Sequence, residues 1–211
     1  MKKFLICLIL IVSCNWMAKA QGFGFGLKAG ANFANVSDVS SINNESRTGF
    51  MVGAFLSPDF SGKQILGYRT EIIYSQQGYD FKTQSSTGNV KLNYLMLPQL
   101  TTINITRLLQ LQLGAQIAFL LNASVDSMSN NSNVSPFQKA NDYYNKIDYG
   151  LAGGVEIHPA KGLLLGARYN LGLNNNNRSN DIGSLLIPSY IPPKGTDFKN
   201  NVVSIFAGYK F

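Results

Sequence analysis

The sequence predicts an all-β protein, an eight-stranded antiparallel up-and-down transmembrane β-barrel, and three features carry this prediction. Eight segments alternate apolar with small or polar residues at period two, the pattern of strands whose two faces meet different environments. Long and short connections alternate strictly between these segments. The last segment ends the chain on an aromatic residue, Phe211. A transmembrane barrel needs its last strand to pair with its first, because an open sheet edge cannot persist in lipid.

The first twenty residues predict a secretion signal, followed by a single barrel domain over residues 21–211. Two lysines precede an apolar run, and Ala18-Lys19-Ala20 forms an A-x-A cleavage site. The apolar run is shorter than the roughly 20 residues that a membrane-spanning helix needs. Lipidation at Cys14 is an open alternative, because the four residues ending there loosely match a lipoprotein cleavage box.

The composition excludes several classes of protein. Both cysteines lie within the predicted signal, so the mature chain is expected to hold no disulfide and no thiolate metal site. The net charge of +7 falls to about +4 without the signal and is spread along the chain, which argues against a nucleic-acid partner. Only 14% of the residues are charged and 20 are glycine, as suits a barrel whose outer face contacts lipid.

The predicted strands differ in how clearly they alternate. The first, about residues 21–36, has the cleanest pattern, with glycine on the inner face, where it allows a narrow barrel to close tightly. The fourth, about residues 89–100, is apolar on both faces, so the face that points inward is not determined, and Pro98 suggests a strand end or a bulge. The other six predicted strands cover about residues 48–57, 66–77, 109–121, 147–158, 163–174 and 200–211.

The connections indicate where the barrel resides. Long loops are predicted at about residues 37–47, 78–88, 122–146 and 175–199, and short turns join the other strand pairs. Long loops outside the cell and short periplasmic turns are typical of barrels in the outer membrane of Gram-negative cells. Outer-membrane lipid and the outer-membrane insertion machinery are therefore expected partners. Tyr209 and Phe211 are the predicted assembly signal, and with Tyr149 and Tyr169 they are expected on the outward face as interfacial aromatic residues.

Four segments resemble motifs of the PorT-like outer-membrane β-barrel family. They are residues 68–78 (YRTEIIYSQQG), 93–98 (NYLMLP), 162–173 (GLLLGARYNLGL) and 208–211 (GYKF). The similarity covers essentially all of the mature chain, although Met96 stands where relatives often carry an acid. The resemblance implies an eight-stranded outer-membrane barrel. It implies little chemistry, and the member that gives the family its name is linked to protein secretion across the outer membrane.

Charged residues on the inward face of the predicted strands form a predicted lumen charge network. Its members are Lys28, Arg69, Glu71, Asp148, Glu156, Arg168 and Lys210. An eight-stranded barrel is just wide enough for side chains to fill, and buried charges must be paired. Because the third and seventh strands face each other across the ring, Glu71 and Arg168 are expected to meet. A proton or ion path is the alternative interpretation.

The sequence predicts no catalytic, cofactor or metal site. His158 is the only histidine and is expected at a solvated strand end. Ten residues of one strand, roughly 33 Å, separate it from Asp148, so a catalytic pair is not expected. A match to G-x-G-x-x-A at residues 24–29 is not interpreted as a nucleotide site, because no strand precedes it and no helix follows.

An apolar run in the last long loop is unusual for a surface loop. Its candidate partner-binding residues are Leu185, Leu186, Ile187, Tyr190 and Ile191. The run either folds back over the barrel mouth or docks a protein partner. The function predicted is that of a non-enzymatic outer-membrane barrel with a side-chain-filled lumen and a structural or interaction role through its extracellular loops. The alternatives are a small outer-membrane channel, a secretion-associated barrel and a lipid-modifying enzyme.

Overall fold

The computed structural model describes most of the predicted barrel domain. The described residues are 23–37, 43–58, 65–82, 86–129, 137–139, 144–174 and 199–211. These ranges contain no helix long and apolar enough to cross a membrane. The predicted signal at residues 1–20 and the apolar run of the last loop lie outside the described residues.

The described residues form nine strands, eight of which close into an antiparallel barrel. Neighbouring strands follow the order β4-β3-β2-β1-β9-β8-β7-β5, and β4 also pairs with β5, which completes the ring. The remaining strand, β6, pairs with the far end of β5. The strands are β1 (Phe23–Ser37), β2 (Asn43–Pro58), β3 (Leu66–Lys82), β4 (Ser86–Asn104), β5 (Leu109–Ser129), β6 (Phe137–Lys139), β7 (Ile147–Ala160), β8 (Leu163–Gly172) and β9 (Lys199–Lys210). The predicted fold class is confirmed.

The barrel has two distinct ends. The turn end carries the tight connections at residues 105–108 and 161–162 together with the chain terminus, and the loop end lies opposite. Gly162 has a φ of 80°, a left-handed conformation that favours glycine in this tight turn. The seam between β1 and β9 runs in register from Gly26, opposite Lys210, up to the loop end. Phe211 extends the seam by donating its backbone N–H to the carbonyl oxygen of Phe25 at 2.8 Å.

Residues alternate between an exposed outer face and a buried lumen, as the sequence patterns predict. The fourth strand, whose parity was not predictable, directs apolar side chains into the lumen. They are Val90, Leu92, Tyr94, Met96 and Leu100. Pro98 does not end this strand, because β4 continues to Asn104. The bulge lies instead on β5, where Leu121 is the extra residue between Leu120, opposite Tyr94, and Asn122, opposite Asn93. The paired positions of β3 and β4 skip Leu97 and Pro98, where the missing proline N–H interrupts the ladder.

Several strands are longer than the sequence predicts, mostly toward the loop end. The segment 78–88, expected to be a loop, is mainly strand, because β3 continues to Lys82 and β4 begins at Ser86. Likewise β2 begins at Asn43, and β5 continues to Ser129. Backbone pairing holds these extensions, and such pairing needs no apolar alternation that a sequence could display.

Two glycines on the lumen face make room for two aromatic rings that contact the charged side chains described below. A Cβ at Gly26 would lie 2.1 Å from Cζ of Phe55, and a Cβ at Gly166 would lie 2.5 Å from Cζ of Phe206. Each glycine faces its aromatic partner directly across neighbouring strands. The outer atoms of each ring therefore occupy the space that a side chain at the glycine would fill, so a larger residue would displace the ring.

Candidate functional site

The lumen near the turn end is filled by charged side chains, and Glu71 lies at the centre of a first cluster. Its carboxylate accepts hydrogen bonds from Lys28 Nζ at 2.7 and 2.8 Å. It also accepts hydrogen bonds from Arg168 Nη1 at 2.6 Å and Nη2 at 3.1 Å. Lys28 is on β1 and Glu71 on β3, and the residue opposite Lys28 on the intervening strand is Gly53. Without a side chain there, the lysine can reach across β2.

A second cluster is built around Glu156 on β7. Arg69 holds this carboxylate with two parallel bonds, 2.7 Å from Nη1 to Oε2 and 2.9 Å from Nη2 to Oε1. Such bidentate arginine–carboxylate pairs are both strong and geometrically specific. Arg69 Nη2 also donates to Gln110 Oε1 at 3.1 Å. All the charged groups of the two clusters are buried, so each charge requires these partners.

His158 lies against the second cluster, contrary to the prediction that it is a solvated strand-end residue. Its Nε2 is 3.1 Å from Oε1 of Glu156, and its side chain is only 17% exposed. The reason is that β7 continues past it to Ala160, so the period of two places His158 on the same face as Glu156.

One neutral side chain, Gln112 on β5, joins the two clusters. Its Nε2 donates to Glu156 Oε2 at 2.7 Å, and its Oε1 accepts a hydrogen bond from Arg168. The rings of Phe55 and Phe206 complete the packing. The guanidinium carbon of Arg69 is 4.5 Å from the centre of the Phe55 ring, and Lys28 Nζ is 4.5 Å from that of Phe206. We call this assembly the charged layer: Lys28, Arg69, Glu71, Glu156 and Arg168 with Gln110 and Gln112.

The other two predicted members of the network lie apart from the charged layer. Lys210 is half-buried at the turn end, where its Nζ donates to the carbonyl oxygen of Pro58. Asp148 is buried nearer the loop end and lines a separate cavity. Its strand runs downward from the loop end, so its height in the barrel differs from that of Glu156 by most of a strand length.

Neutral polar side chains form a middle layer that the sequence analysis did not single out. Asn32 Nδ2 donates to Ser75 Oγ at 2.8 Å, and Ser204 Oγ donates to Asn32 Oδ1 at 2.8 Å. Gln77 Nε2 donates to the same Ser75 at 2.9 Å and lies 3.3 Å from the sulfur of Met96. The period of two could have identified these residues, because it places their amides and hydroxyls on the inward face. Neutral groups are weaker indicators of a lumen network than acids and bases, because only a buried charge must be paired.

Apolar and tyrosine side chains close the lumen toward the loop end. This apolar layer consists of Tyr79, Val90, Leu92, Tyr94, Ala123, Val125 and Tyr144, all buried. Tyr144 comes from the segment before β7, and its hydroxyl is 2.9 Å from that of Tyr79. Two cavities below this layer measure about 10 Å³ each, room for about one water molecule apiece.

The predicted assembly signal lies on the outer face at the turn end. Tyr209 is 48% exposed and Phe211 is 71% exposed. The Phe211 ring stacks on Phe25 with centroids 6.0 Å apart and meets Tyr209 edge-on at 5.2 Å. Tyr149 and Tyr169 also face outward. The candidate partner-binding residues of the last loop, Leu185, Leu186, Ile187, Tyr190 and Ile191, lie outside the described residues.

The arrangement is that of a transmembrane β-barrel: an apolar outer band surrounds a narrow lumen of paired charges. The chain belongs to the family described as outer membrane protein beta-barrel domain, whose model matches residues 19–178. Family and fold support a location in the outer membrane. Within the described ranges, no group of three or more His, Cys, Asp or Glu is placed to hold a metal ion.

Solved structures of two outer-membrane barrels are similar in fold. Ail, the attachment invasion locus protein of Yersinia pestis, has a TM-score of 0.50 at 16% identity over 90% of this chain and 99% of its own. Neisserial surface protein A has a TM-score of 0.51 at 18% identity over 89% of this chain and 97% of its own. At these identities the likeness shows the fold alone. No curated protein matches the sequence significantly.

Proposed function

We propose that the protein is a non-enzymatic outer-membrane barrel with a closed lumen, and that it acts as a structural or interaction protein through its extracellular loops. The observation that carries this proposal is the filling of the described lumen by three successive layers. Charged pairs lie at the turn end, neutral amides and hydroxyls in the middle, and apolar side chains at the loop end. A conducting channel would need a continuous wet path, and the apolar layer opposes one.

Recording from single barrels in a planar lipid bilayer tests the closed lumen. We expect no steady conductance steps from the native protein. A variant with Lys28→Ala, Glu71→Ala, Arg168→Ala and Tyr144→Ala removes the centre of the charged layer and part of the apolar layer, and serves to show that the assay detects an opened lumen. Steady steps from the native protein would contradict the proposal and favour the small-channel alternative.

The absence of enzymatic activity is a separate part of the proposal. The one histidine, His158, lies against Glu156 inside the lumen near the turn end. A lipid-modifying site would have to reach acyl chains at the outer face. We therefore expect the acyl-chain composition of outer-membrane lipids to be the same in a deletion strain and its parent. Altered acyl chains that are restored by the native gene would overturn this part of the proposal.

The PorT-like resemblance supplies a more specific role, a barrel associated with protein secretion. It rests on the segments at residues 68–78, 93–98, 162–173 and 208–211. Affinity capture from membranes, comparing the native chain with one lacking residues 182–193, tests whether the last loop recruits a protein partner. A partner that binds only the native chain supports the interaction role. Identical sets of co-purified proteins would contradict a role for Leu185, Leu186, Ile187, Tyr190 and Ile191.

We also infer that residues 1–20 are a cleaved signal. Mass spectrometry of the purified protein distinguishes the two processing routes. A mature N-terminus at Gln21 supports cleavage after Ala20, whereas a lipid-bearing N-terminus at Cys14 would establish the lipoprotein alternative.

A further inference from the structure

The turn end of β3, β4 and β5 carries a group of large aliphatic side chains that face away from the protein. We call them the apolar tip: Ile65, Leu66, Ile105 and Leu108, each more than half exposed. They lie next to one another, because the backbone N–H of Asn104, which precedes Ile105, donates to the carbonyl oxygen of Ile65 at 2.7 Å. The apolar tip is therefore one continuous surface across three neighbouring strands.

The turn between β4 and β5 holds one exposed cation in the middle of this surface. The hydroxyl oxygen of Thr106 accepts hydrogen bonds from the backbone N–H groups of Leu108 at 3.1 Å and Leu109 at 2.9 Å. The carbonyl oxygen of Leu109 accepts the N–H groups of Ile105 and Thr106. These bonds define the shape of the turn. Arg107, between Thr106 and Leu108, is exposed, and no described residue forms an ion pair with it.

The apolar tip continues the lipid-facing wall of the barrel without a polar margin. The outward residues that follow on β5 are Leu109, Leu111 and Leu113, and Ile157 on β7 lies opposite Leu109. A docking surface for a soluble protein is typically an apolar patch with a polar rim. The absence of a rim between the tip and this part of the wall indicates that both contact the same medium, the membrane.

Outward polar side chains on β3 and β4 support the same interpretation. They are Tyr68, Thr70, Gln99 and Thr101. The Tyr68 hydroxyl donates to Gln99 Oε1, and Gln99 Nε2 donates to Thr70 Oγ1 at 2.8 Å. Water would satisfy such groups, whereas polar groups that face hydrocarbon must find partners within the protein. The next outward row toward the turn end is apolar again, with Leu66 opposite Ile103. Lipid contact is therefore expected to continue past these polar residues to the turn.

The other described tight turn shows that an apolar tip is not a general property of this end of the barrel. Between β7 and β8 the residues 159–162 are Pro, Ala, Lys and Gly, with Lys161 exposed. This turn has no large aliphatic side chain. It provides a matched position at the same end of the barrel for the experiments below.

We propose that the β4–β5 turn is a binding site for anionic phospholipid in the leaflet around the turn end. The apolar tip inserts at the boundary between acyl chains and headgroups, and Arg107 pairs with the headgroup phosphate. Apolar residues beside an arginine suit this boundary, because the aliphatic part enters the lipid while the guanidinium stays among the headgroups. An arginine can also bind a phosphate through two parallel hydrogen bonds. The site does not depend on a protein partner at the extracellular loops.

Single-tryptophan variants in lipid vesicles test the insertion of the apolar tip. Trp16 is the only tryptophan of the chain, so a Trp16→Phe background leaves one tryptophan in each variant. The vesicles contain phosphatidylcholine, part of it brominated in the acyl chains, and phosphatidylglycerol. We expect Leu108→Trp to emit at shorter wavelength than Lys161→Trp and to be quenched more strongly by the brominated lipid. Leu113→Trp, on the lipid-facing wall of the same strand, gives the quenching expected for full lipid contact.

The two turns carry the same substituted residue in this comparison, so the preference of tryptophan itself for the membrane interface affects both. Equal quenching of Leu108→Trp and Lys161→Trp would overturn the proposal. If that quenching is also weak, the apolar tip lies in water and a protein partner becomes the better explanation of its exposed side chains.

A second comparison tests the role of Arg107 in the Leu108→Trp variant. Brominated phosphatidylglycerol should quench the tryptophan at lower mole fraction than brominated phosphatidylcholine. We expect a preference of about fivefold, the magnitude for one basic residue near an anionic membrane surface. Arg107→Gln should remove the preference. The control Arg47→Gln changes an arginine that is paired with Asp80 and should keep it. Equal quenching by the two lipids, or a preference that survives Arg107→Gln, would overturn the assignment of a phosphate to Arg107.

Discussion

Arg168 and Glu71 form an ion pair straight across the barrel, with 2.6 Å between Nη1 and Oε2, although they lie 97 residues apart in the chain. Three strands separate β3 from β8 in either direction around the ring. The pair therefore spans the full width of the lumen and connects opposite walls. Lys28 binds the same carboxylate, so Glu71 neutralises cations from two different strands.

We expect Glu71→Ala and Arg168→Ala each to lower the free energy of unfolding by about 3–5 kcal/mol, because removing one partner leaves a buried charge uncompensated. Glu71→Ala should have the larger effect, since it removes the carboxylate that pairs with both Arg168 and Lys28. The double variant should lose less than the sum of the two single losses. Urea unfolding of the refolded barrel in detergent or lipid measures all three.

The Arg47–Asp80 pair provides a matched control for that cycle. Its atoms are 3.1 Å apart, but the Asp80 side chain is 46% exposed. Partly exposed pairs contribute roughly 0–1 kcal/mol, so the coupling between Arg47→Ala and Asp80→Ala should be small. The coupling between Glu71 and Arg168 should therefore be clearly larger than the coupling in this control. If the losses for Glu71→Ala and Arg168→Ala simply add, as those of the control pair are expected to do, the lumen is wetter than its geometry indicates.

Gln112→Met should reduce stability by about 1–3 kcal/mol, because methionine keeps the volume but removes the two hydrogen bonds that join Glu156 to Arg168. It should also weaken the energetic coupling between Glu71 and Glu156. A double-mutant cycle of these two residues, carried out once in the native protein and once in the Gln112→Met variant, measures that coupling. Gln99→Met is the control, because Gln99 faces outward and lies outside the charged layer. Equal losses for both glutamine variants would argue against Gln112 as a connection.

Tyr79→Phe and Tyr144→Phe should each lower stability by about 0.5–1.5 kcal/mol through loss of the bond between their hydroxyls. The double variant should be little worse than either single variant, because neither ring then carries a hydroxyl that lost this partner. Tyr149→Phe, at an exposed tyrosine on the outer face, should leave stability within about 0.5 kcal/mol. Additive single losses would show that the two hydroxyls act separately.

Phe211→Ala should lower the yield of folded, heat-modifiable barrel in the outer membrane. The Phe211 ring contacts both Phe25 and Tyr209 at the seam, and the terminal aromatic strand is the proposed recognition element for the insertion machinery. Gel mobility with and without heating measures the folded fraction. Phe33→Ala removes an outward phenylalanine of the same strand pair away from the terminus and should have less effect. Equal yields for the two variants would remove the special role of Phe211.

Alternation predicted the barrel well because lipid outside and polar side chains inside give each strand two different faces. For the fourth strand, alternation could not show which face points inward, and the cause is physical. At its height the lumen itself is apolar, so Val90 and Leu92 point inward while Leu95 and Leu97 point outward, and both faces look alike in sequence. The extension of β3 to Lys82 was missed because backbone pairing continues where the outer face no longer has to be apolar.

The charged layer was partly predictable because acids and bases on inward positions of a narrow barrel must find partners. The position of each residue along the barrel axis could not be predicted, since it depends on the register and tilt of strands that are distant in sequence. Asp148 and Glu156 share a strand and a face, yet one lies with amides and the other with arginine. Nothing in the sequence indicates that Gln116, Asn170 and Asn200 lie together, and only the strand pairing in the structure shows that they line one cavity.

The seam between β1 and β9 has a consequence for the order of events during biogenesis. It joins the first strand to be synthesised to the last, the pairing with the greatest loop-closure entropy in the barrel. The bonds of Ser204 to Asn32 and of Arg168 to Glu71 join strands on opposite sides of that seam. These contacts can stabilise the barrel only after the final strand has paired, because the long-range closure must come first. A nascent or truncated chain without β9 therefore lacks the contacts of Ser204 and the closed wall that holds Arg168 against Glu71, and quality control would encounter it as an open sheet with an unpaired edge.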